Sequence, residues 1–108
     1  AVMTCIVNDY GYDHIFSRQI EALGNKGDVL VGISTSGNSD NVNNAFKAAK
    51  NIGIHTVGFL GKGGGEALNL VKHAIVIPSQ STARVQEMHI TIGHIICELI
   101  EEGLGINS

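Results

Sequence analysis

Along this chain short apolar runs alternate with stretches whose apolar positions recur every three to four residues, and that alternation predicts strands and helices in turn. Ala1-Val2-Met3-Thr4-Cys5-Ile6-Val7 reads as a buried strand, followed by a turn at Asn8-Asp9-Tyr10-Gly11. Tyr12, Ile15, Phe16, Ile20 and Leu23 then mark a helix, closed by Gly24 as a left-handed cap. Val29 to Ile33 is a second strand, and Ser34-Thr35-Ser36-Gly37-Asn38-Ser39 is a loop of small polar residues. From Asp40, the stripe Val42, Ala45, Phe46, Ala49 and Ile52 predicts a helix that Gly53 ends.

The second half repeats the scheme. His55 to Leu60 is a third strand, Gly61-Lys62-Gly63-Gly64-Gly65 a flexible loop, Ala67 to Lys72 a short helix, and Ala74 to Ile77 a fourth strand stopped by Pro78. Ser79 to Thr82 offers caps for the longest helix, Ala83 to about Glu102. There Val85, Met88, His89, Ile92, Ile95, Ile96, Leu99 and Ile100 form an apolar seam, expected to pack along its whole length. Strands alternating with helices through short connections predict a parallel sheet in a three-layer α/β/α sandwich, with ligands at the carboxyl ends of the strands. Asn8-Asp9, Ser34 to Ser39 and Gly61 to Gly65 all fall at such ends. The first strand begins at the first residue and would leave an exposed edge, so the sheet is expected to be part of a larger one.

Composition narrows the classes. The 108 residues suit one small domain, and 44% hydrophobic with 16% charged residues is ordinary for a globular protein. The net charge is −3 and the seven basic residues are scattered singly, without the clustered positive face that a nucleic-acid backbone demands. No segment approaches the roughly 18 apolar residues of a membrane span, and the apolar opening lacks the basic flank of a signal peptide. Cys5 and Cys97 sit in apolar runs with no metal-like spacing, so both are expected as buried free thiols in a reducing, cytoplasmic compartment.

The loop at Ser34 to Ser39 carries the chemistry. Between a strand and a helix it presents backbone N–H groups at a helix N-terminus, where unpaired donors and the helix dipole favour an anion. Ser34, Thr35, Ser36 and Ser39 add hydroxyls, and Gly37 permits close backbone approach. With no Lys or Arg in the loop and no GxxxxGK[ST] pattern, the expected guest is a monophosphate ester held by neutral donors. The bland alternative is a Ser/Asn-rich turn with Ser39 as an N-cap. The GKGGGE stretch departs from GxGxxG, so a dinucleotide site is not expected.

Three segments, Asn8-Asp9-Tyr10-Gly11, Gly32-Ile33-Ser34-Thr35-Ser36-Gly37-Asn38-Ser39 and Ala83-Arg84-Val85-Gln86-Glu87-Met88-His89-Ile90-Thr91-Ile92-Gly93-His94, together resemble the sugar isomerase (SIS) domain family, in particular its phosphoheptose isomerase branch. The resemblance runs over essentially all 108 residues as a single SIS domain, the C-terminal portion of a longer one. It implies a flavodoxin-like sandwich and the interconversion of sedoheptulose 7-phosphate and D-glycero-D-manno-heptose 7-phosphate. That reaction leads toward lipopolysaccharide core heptose, in a cytoplasmic homotetramer that often carries zinc. By the same resemblance Ser34, Thr35, Ser36 and Ser39 would hold the phosphate, and Asn8 and Asp9 the sugar. Gln86 would contact substrate or metal, and His94 would be a metal ligand or the acid/base histidine. The family's N-terminal part, with an Asn-Gly-Gly-Ser loop and a helix bearing a catalytic Glu and a metal-binding His, is not matched by any residues here. The alternative within the family is a non-catalytic module that binds a phosphosugar or a replication initiator protein, and His94 favours the enzyme.

By the roughly 100° step of a helix, His94 shares a polar stripe with Glu87, Thr91, Glu98 and Glu101. Gln86 and His94 are separated by about 12 Å along the axis and about 80° around it, so one ion would stretch both side chains to their limits. A complete site is therefore expected to combine two subunits. His14, His55, His73 and His89 are expected to be structural, His89 facing the seam with a polar partner.

Overall fold

The computed structural model describes residues 4–7 and 14–105. Strands β1 (Thr4–Val7), β2 (Val29–Ser34), β3 (His55–Gly61) and β4 (His73–Ile77) form one parallel sheet in the order β1-β2-β3-β4. Helices α1 (Ile15–Leu23), α2 (Asp40–Ile52) and α3 (Thr82–Leu104) connect or follow them, with a 3₁₀ turn at Glu66–Asn69. The four strands and the three long helices fall where the sequence pattern placed them, as far as the described residues reach.

The strand pleat divides the core between two faces. On one face Leu30 and Leu60 meet α2 through Val42, Ala45, Phe46 and Ala49, with α1 adding Ile20. Gly32 is required there because a Cβ would run into the Phe46 ring and Val42. Phe46 is wholly buried, and truncating it to Ala would cost about 3–5 kcal/mol. On the other face Phe59 lies under α3 against His89 and Gly93. The result is the expected three-layer sandwich.

Several expectations need correction. Gly24 ends α1 in an extended conformation (φ −77°, ψ 144°), not a left-handed one; its small size instead admits Ile54. Gly53 does take the left-handed cap, at φ 91°. The short helix expected from Ala67 to Lys72 is a single 3₁₀ turn, because Ala67 N–H is drawn to the Gly37 carbonyl and the next strand starts at His73. Cys97 is exposed, on the outer side of α3, whereas the side chain of Cys5 lies outside the described residues. The largest departure is α3 itself. Of its seam only Val85 and His89 are buried, while Met88, Ile95, Leu99 and Ile100 are exposed, Leu99 at 60%. Val85 and His89 meet the sheet at the start of the 23-residue helix, and most of the apolar stripe beyond them is left uncovered by the described residues.

Candidate functional site

In the β2–β3 register Ser34 lies beside Leu60, so the loop after β2 and the glycine loop after β3 leave the sheet side by side. The two loops interlock. Gly37, at φ 72°, backs directly onto the Gly64 carbonyl, and its own carbonyl accepts hydrogen bonds from Ala67 N–H at 2.8 Å and Asn43 Nδ2 at 3.2 Å. Asn38 Oδ1 accepts Glu66 N–H at 2.9 Å. Gly63, Gly64 and Gly65 all have positive φ, as does Lys62 at 50°. The glycine loop, expected to be flexible, is thus a brace that fixes the hydroxyl loop through backbone groups, and only glycine fits at Gly37 and Gly65.

Within the loop the hydroxyls have different surroundings. Ser34 is wholly buried and its Oγ accepts Gly37 N–H at 3.1 Å, which tightens the turn. Ser36 Oγ accepts Asn38 N–H at 3.1 Å and the residue is half-buried. Thr35 is half-buried, with its carbonyl toward Gly61. Ser39 occupies the N-cap position of α2, but its hydroxyl donates to Asn41 Oδ1 instead of capping the helix. The simple capping role that would explain these serines without a ligand is therefore not what Ser39 performs. The opening of α2 carries Asp40 on its exposed side, while Asn41 Oδ1 also accepts Val42 N–H at 2.8 Å. Asn43 Oδ1 is buried without a hydrogen-bond partner among the described residues.

The remaining expected residues are distributed around this loop. Asn8 and Asp9 follow β1, whose Val7 pairs with Gly32, but both lie outside the described residues. Gln86 follows Val85, which packs against Gly61 beside the Thr35 carbonyl, so the start of α3 is at the same end of the sheet. Its side chain is exposed. His94 is two turns further along α3, also exposed. The structure brings Ser34, Thr35, Ser36 and Ser39 together and leaves His94 facing away from this chain's own core.

Zinc does not fit the described residues on their own. Gln86 and His94 point outward from one helix, and no cluster of three His, Cys, Asp or Glu side chains occurs among the described residues. A cavity of about 310 Å³ lined by Lys50, Thr56, Asn69 and Lys72 lies at the amino end of β3. It is remote from the hydroxyl loop, and we give it no part in the site because strand carboxyl ends and helix N-termini are where this architecture presents donors.

Sequence reasoning missed Asn38, Asn43 and the Glu66–Ala67 backbone as parts of the site. The run of glycines after β3 was the available signal, since several positive-φ positions in a row mean close backbone approach. Of the other histidines, His14, His55 and His73 are exposed, and His55 Nδ1 is 3.5 Å from Lys72 Nζ. His89 is 3% exposed and its Nε2 donates to the Leu60 carbonyl at 2.7 Å, the polar partner expected for it. Burial holds its pKa below the ordinary imidazole value, partly offset by that hydrogen bond.

A parallel α/β sandwich whose hydroxyl-rich loop is braced at a helix N-terminus defines the class of domain. This chain belongs to the SIS domain family, whose profile matches residues 1–61. It is 59% identical over 104 residues to the phosphoheptose isomerase of Clostridium acetobutylicum, covering 96% of this chain and 53% of that one. Identity to the Sulfurimonas denitrificans phosphoheptose isomerase is 56% over 108 residues, covering 97% and 55%. Two solved structures share the fold. The phosphoheptose isomerase from Francisella tularensis superposes with a TM-score of 0.82 at 34% identity, covering 86% of this chain and 50% of that one. The one from Neisseria gonorrhoeae gives 0.82 at 47%, covering 87% and 53%. The chain spans about half the length of these relatives.

Proposed function

We propose that this chain is the phosphate-binding half of a phosphoheptose isomerase, acting on sedoheptulose 7-phosphate and D-glycero-D-manno-heptose 7-phosphate in the supply of heptose for lipopolysaccharide core. The observation that carries the reading is the braced hydroxyl loop at the N-terminus of α2, in a chain 59% identical to a phosphoheptose isomerase. Thr35 and Ser36 donate to the phosphate oxygens with the first N–H groups of α2, Ser39 joins them by turning its hydroxyl from Asn41 Oδ1 to the phosphate, and Ser34 shapes the turn and keeps its hydroxyl proton for the same oxygens. Asn8 and Asp9, directly after β1, are assigned to the sugar hydroxyls.

An aldose–ketose isomerisation moves a proton between adjacent carbons through an enediol, which needs a positioned base and an acid to polarise the carbonyl. His94 is assigned the acid/base role and Gln86 the orientation of the substrate oxygens. Because both face outward from α3, they serve a site completed by another subunit or by the remaining half of the full protein. Self-association, as a homotetramer or a dimer, is supported by the exposed apolar stripe of α3. If zinc takes part, its further ligands come from outside the described residues, and no step here depends on it. Among the described residues no helix is long and apolar enough to cross a membrane, and the exposed Cys97 thiol suits a cytoplasmic setting.

The test is isomerisation of sedoheptulose 7-phosphate by the full protein, with and without His94→Gln. The reading expects turnover that the substitution lowers by about 10²-fold or more, the usual contribution of a general acid or base. Binding of the heptose phosphate without turnover in the unsubstituted protein would instead establish a non-catalytic phosphosugar module.

A further inference from the structure

The residues assigned to the chemistry ride on a helix whose fully buried contacts lie near its start, with Gly93 resting on Phe59 a turn further on. Only Val85 and His89 of α3 are buried. Val85 fills the space over Gly61, and such an apolar contact fixes distance without fixing direction. His89 supplies the direction. Its ring stands 5.8 Å from that of Phe59, and Nε2 donates to the Leu60 carbonyl at 2.7 Å. A carbonyl only accepts, so Nε2 carries the proton and Nδ1, buried without a partner among the described residues, is the bare acceptor.

Leu60 is the residue that pairs with Ser34 in the β2–β3 ladder, immediately before the brace of the hydroxyl loop. The His89 bond therefore joins the helix carrying Gln86, three residues before it, and His94, five residues after it, to the strand pair carrying Ser34 to Ser39. A rotation of α3 by about 20° would move a side-chain tip at the helix's roughly 5–6 Å radius by about 2 Å. Misplacement of reacting groups by about 1 Å can cost as much as 10²-fold in rate.

We propose that His89 is a positioning residue: its Nε2–H bond to the Leu60 carbonyl sets the rotation and slide of α3 on β3, and so aligns Gln86 and His94 with the phosphate loop. This role rests on the isomerase function proposed above. The ordinary alternative is a buried histidine that contributes stability alone, and the two differ in what substitution does to kcat.

The experiment compares His89→Leu, His89→Asn and His89→Gln in the full protein, reading kcat, KM, inhibition by inorganic phosphate and thermal midpoint. Gln places its amide nitrogen where Nε2 sits, whereas the shorter Asn reaches only the Nδ1 position. We expect His89→Leu and His89→Asn to lose about 10- to 100-fold in kcat, with KM and phosphate inhibition within about twofold, and His89→Gln to recover kcat to within about threefold. A His89→Leu protein with unchanged kcat would overturn the role. So would equal kcat for the Asn and Gln variants, a comparison that stands even if the Leu variant does not fold. Losses confined to KM and phosphate inhibition would overturn it too, placing His89 under the loop instead. Failure of the unsubstituted protein to isomerise the heptose phosphate would be a different result, overturning the function and this role with it.

Discussion

At the scale of single residues, glycines and one histidine bear most of the constraint on the site. Gly37 combines a left-handed backbone with a face pressed against the Gly64 carbonyl, so Gly37→Ala adds both strain and overlap. It should destabilise the protein by about 1–3 kcal/mol and weaken phosphate binding, as denaturant titration and calorimetry would show. Gly63→Ala is the matched control: its φ is 84° but a Cβ would meet nothing within 4 Å, so the cost should be backbone strain of about 1–2 kcal/mol with phosphate binding intact. His89 makes a pH prediction. Its folded-state pKa lies below the unfolded imidazole value near 6.5, so its contribution is fully present above that value and is lost as pH falls toward the lowered one. Denaturation midpoints should therefore decline between neutral and mildly acidic pH, and the decline should be shallower in His89→Gln. Equal slopes in the two proteins would remove this histidine from the account.

At the scale of elements, the strands and helices were legible because their apolar periods differ cleanly. Val29 to Ile33 reads as strand, and Val42, Ala45, Phe46 and Ala49 as one helix face, which is where the core lies. What a sequence period cannot convey is which surface an apolar stripe meets. The seam of α3 has the spacing of a packed helix, yet Ile95 is 51% exposed and Leu99 60%, because only the first turns of the helix lie over the described sheet. The glycine loop was misread for a related reason: glycine signals conformational freedom, and whether the chain uses it for motion or for close backbone contact is decided by the partner, here Gly37. If the exposed stripe serves assembly, Leu99→Asp should shift the full protein to a smaller species by sedimentation while leaving the binding of inorganic phosphate unchanged. An unaltered sedimentation coefficient would exclude α3 as the contact.

At the scale of the whole molecule, four parallel strands deliver two loops to one rim, and the interlock between those loops makes a rigid set of donors out of small residues. The hydroxyl loop itself was legible in Ser34-Thr35-Ser36-Gly37-Asn38-Ser39, as was the absence of a basic residue within it. How Gln86 and His94 relate to that loop is less legible, since a helical period places both on α3 without saying what they face, and both are exposed there. The proposed function thus divides into a phosphate-binding half, assigned to this chain, and a catalytic geometry assigned to its assembly.

That division is tested most directly by calorimetric titration of this protein with sedoheptulose 7-phosphate and with sedoheptulose, repeated on the Thr35→Ala/Ser36→Ala double variant. The account predicts binding that requires the phosphate and falls at least about tenfold in the double variant, each lost hydrogen bond to a charged group contributing about 1.5–3 kcal/mol. Equal affinity for the two sugars, or undiminished binding by the double variant, would contradict it.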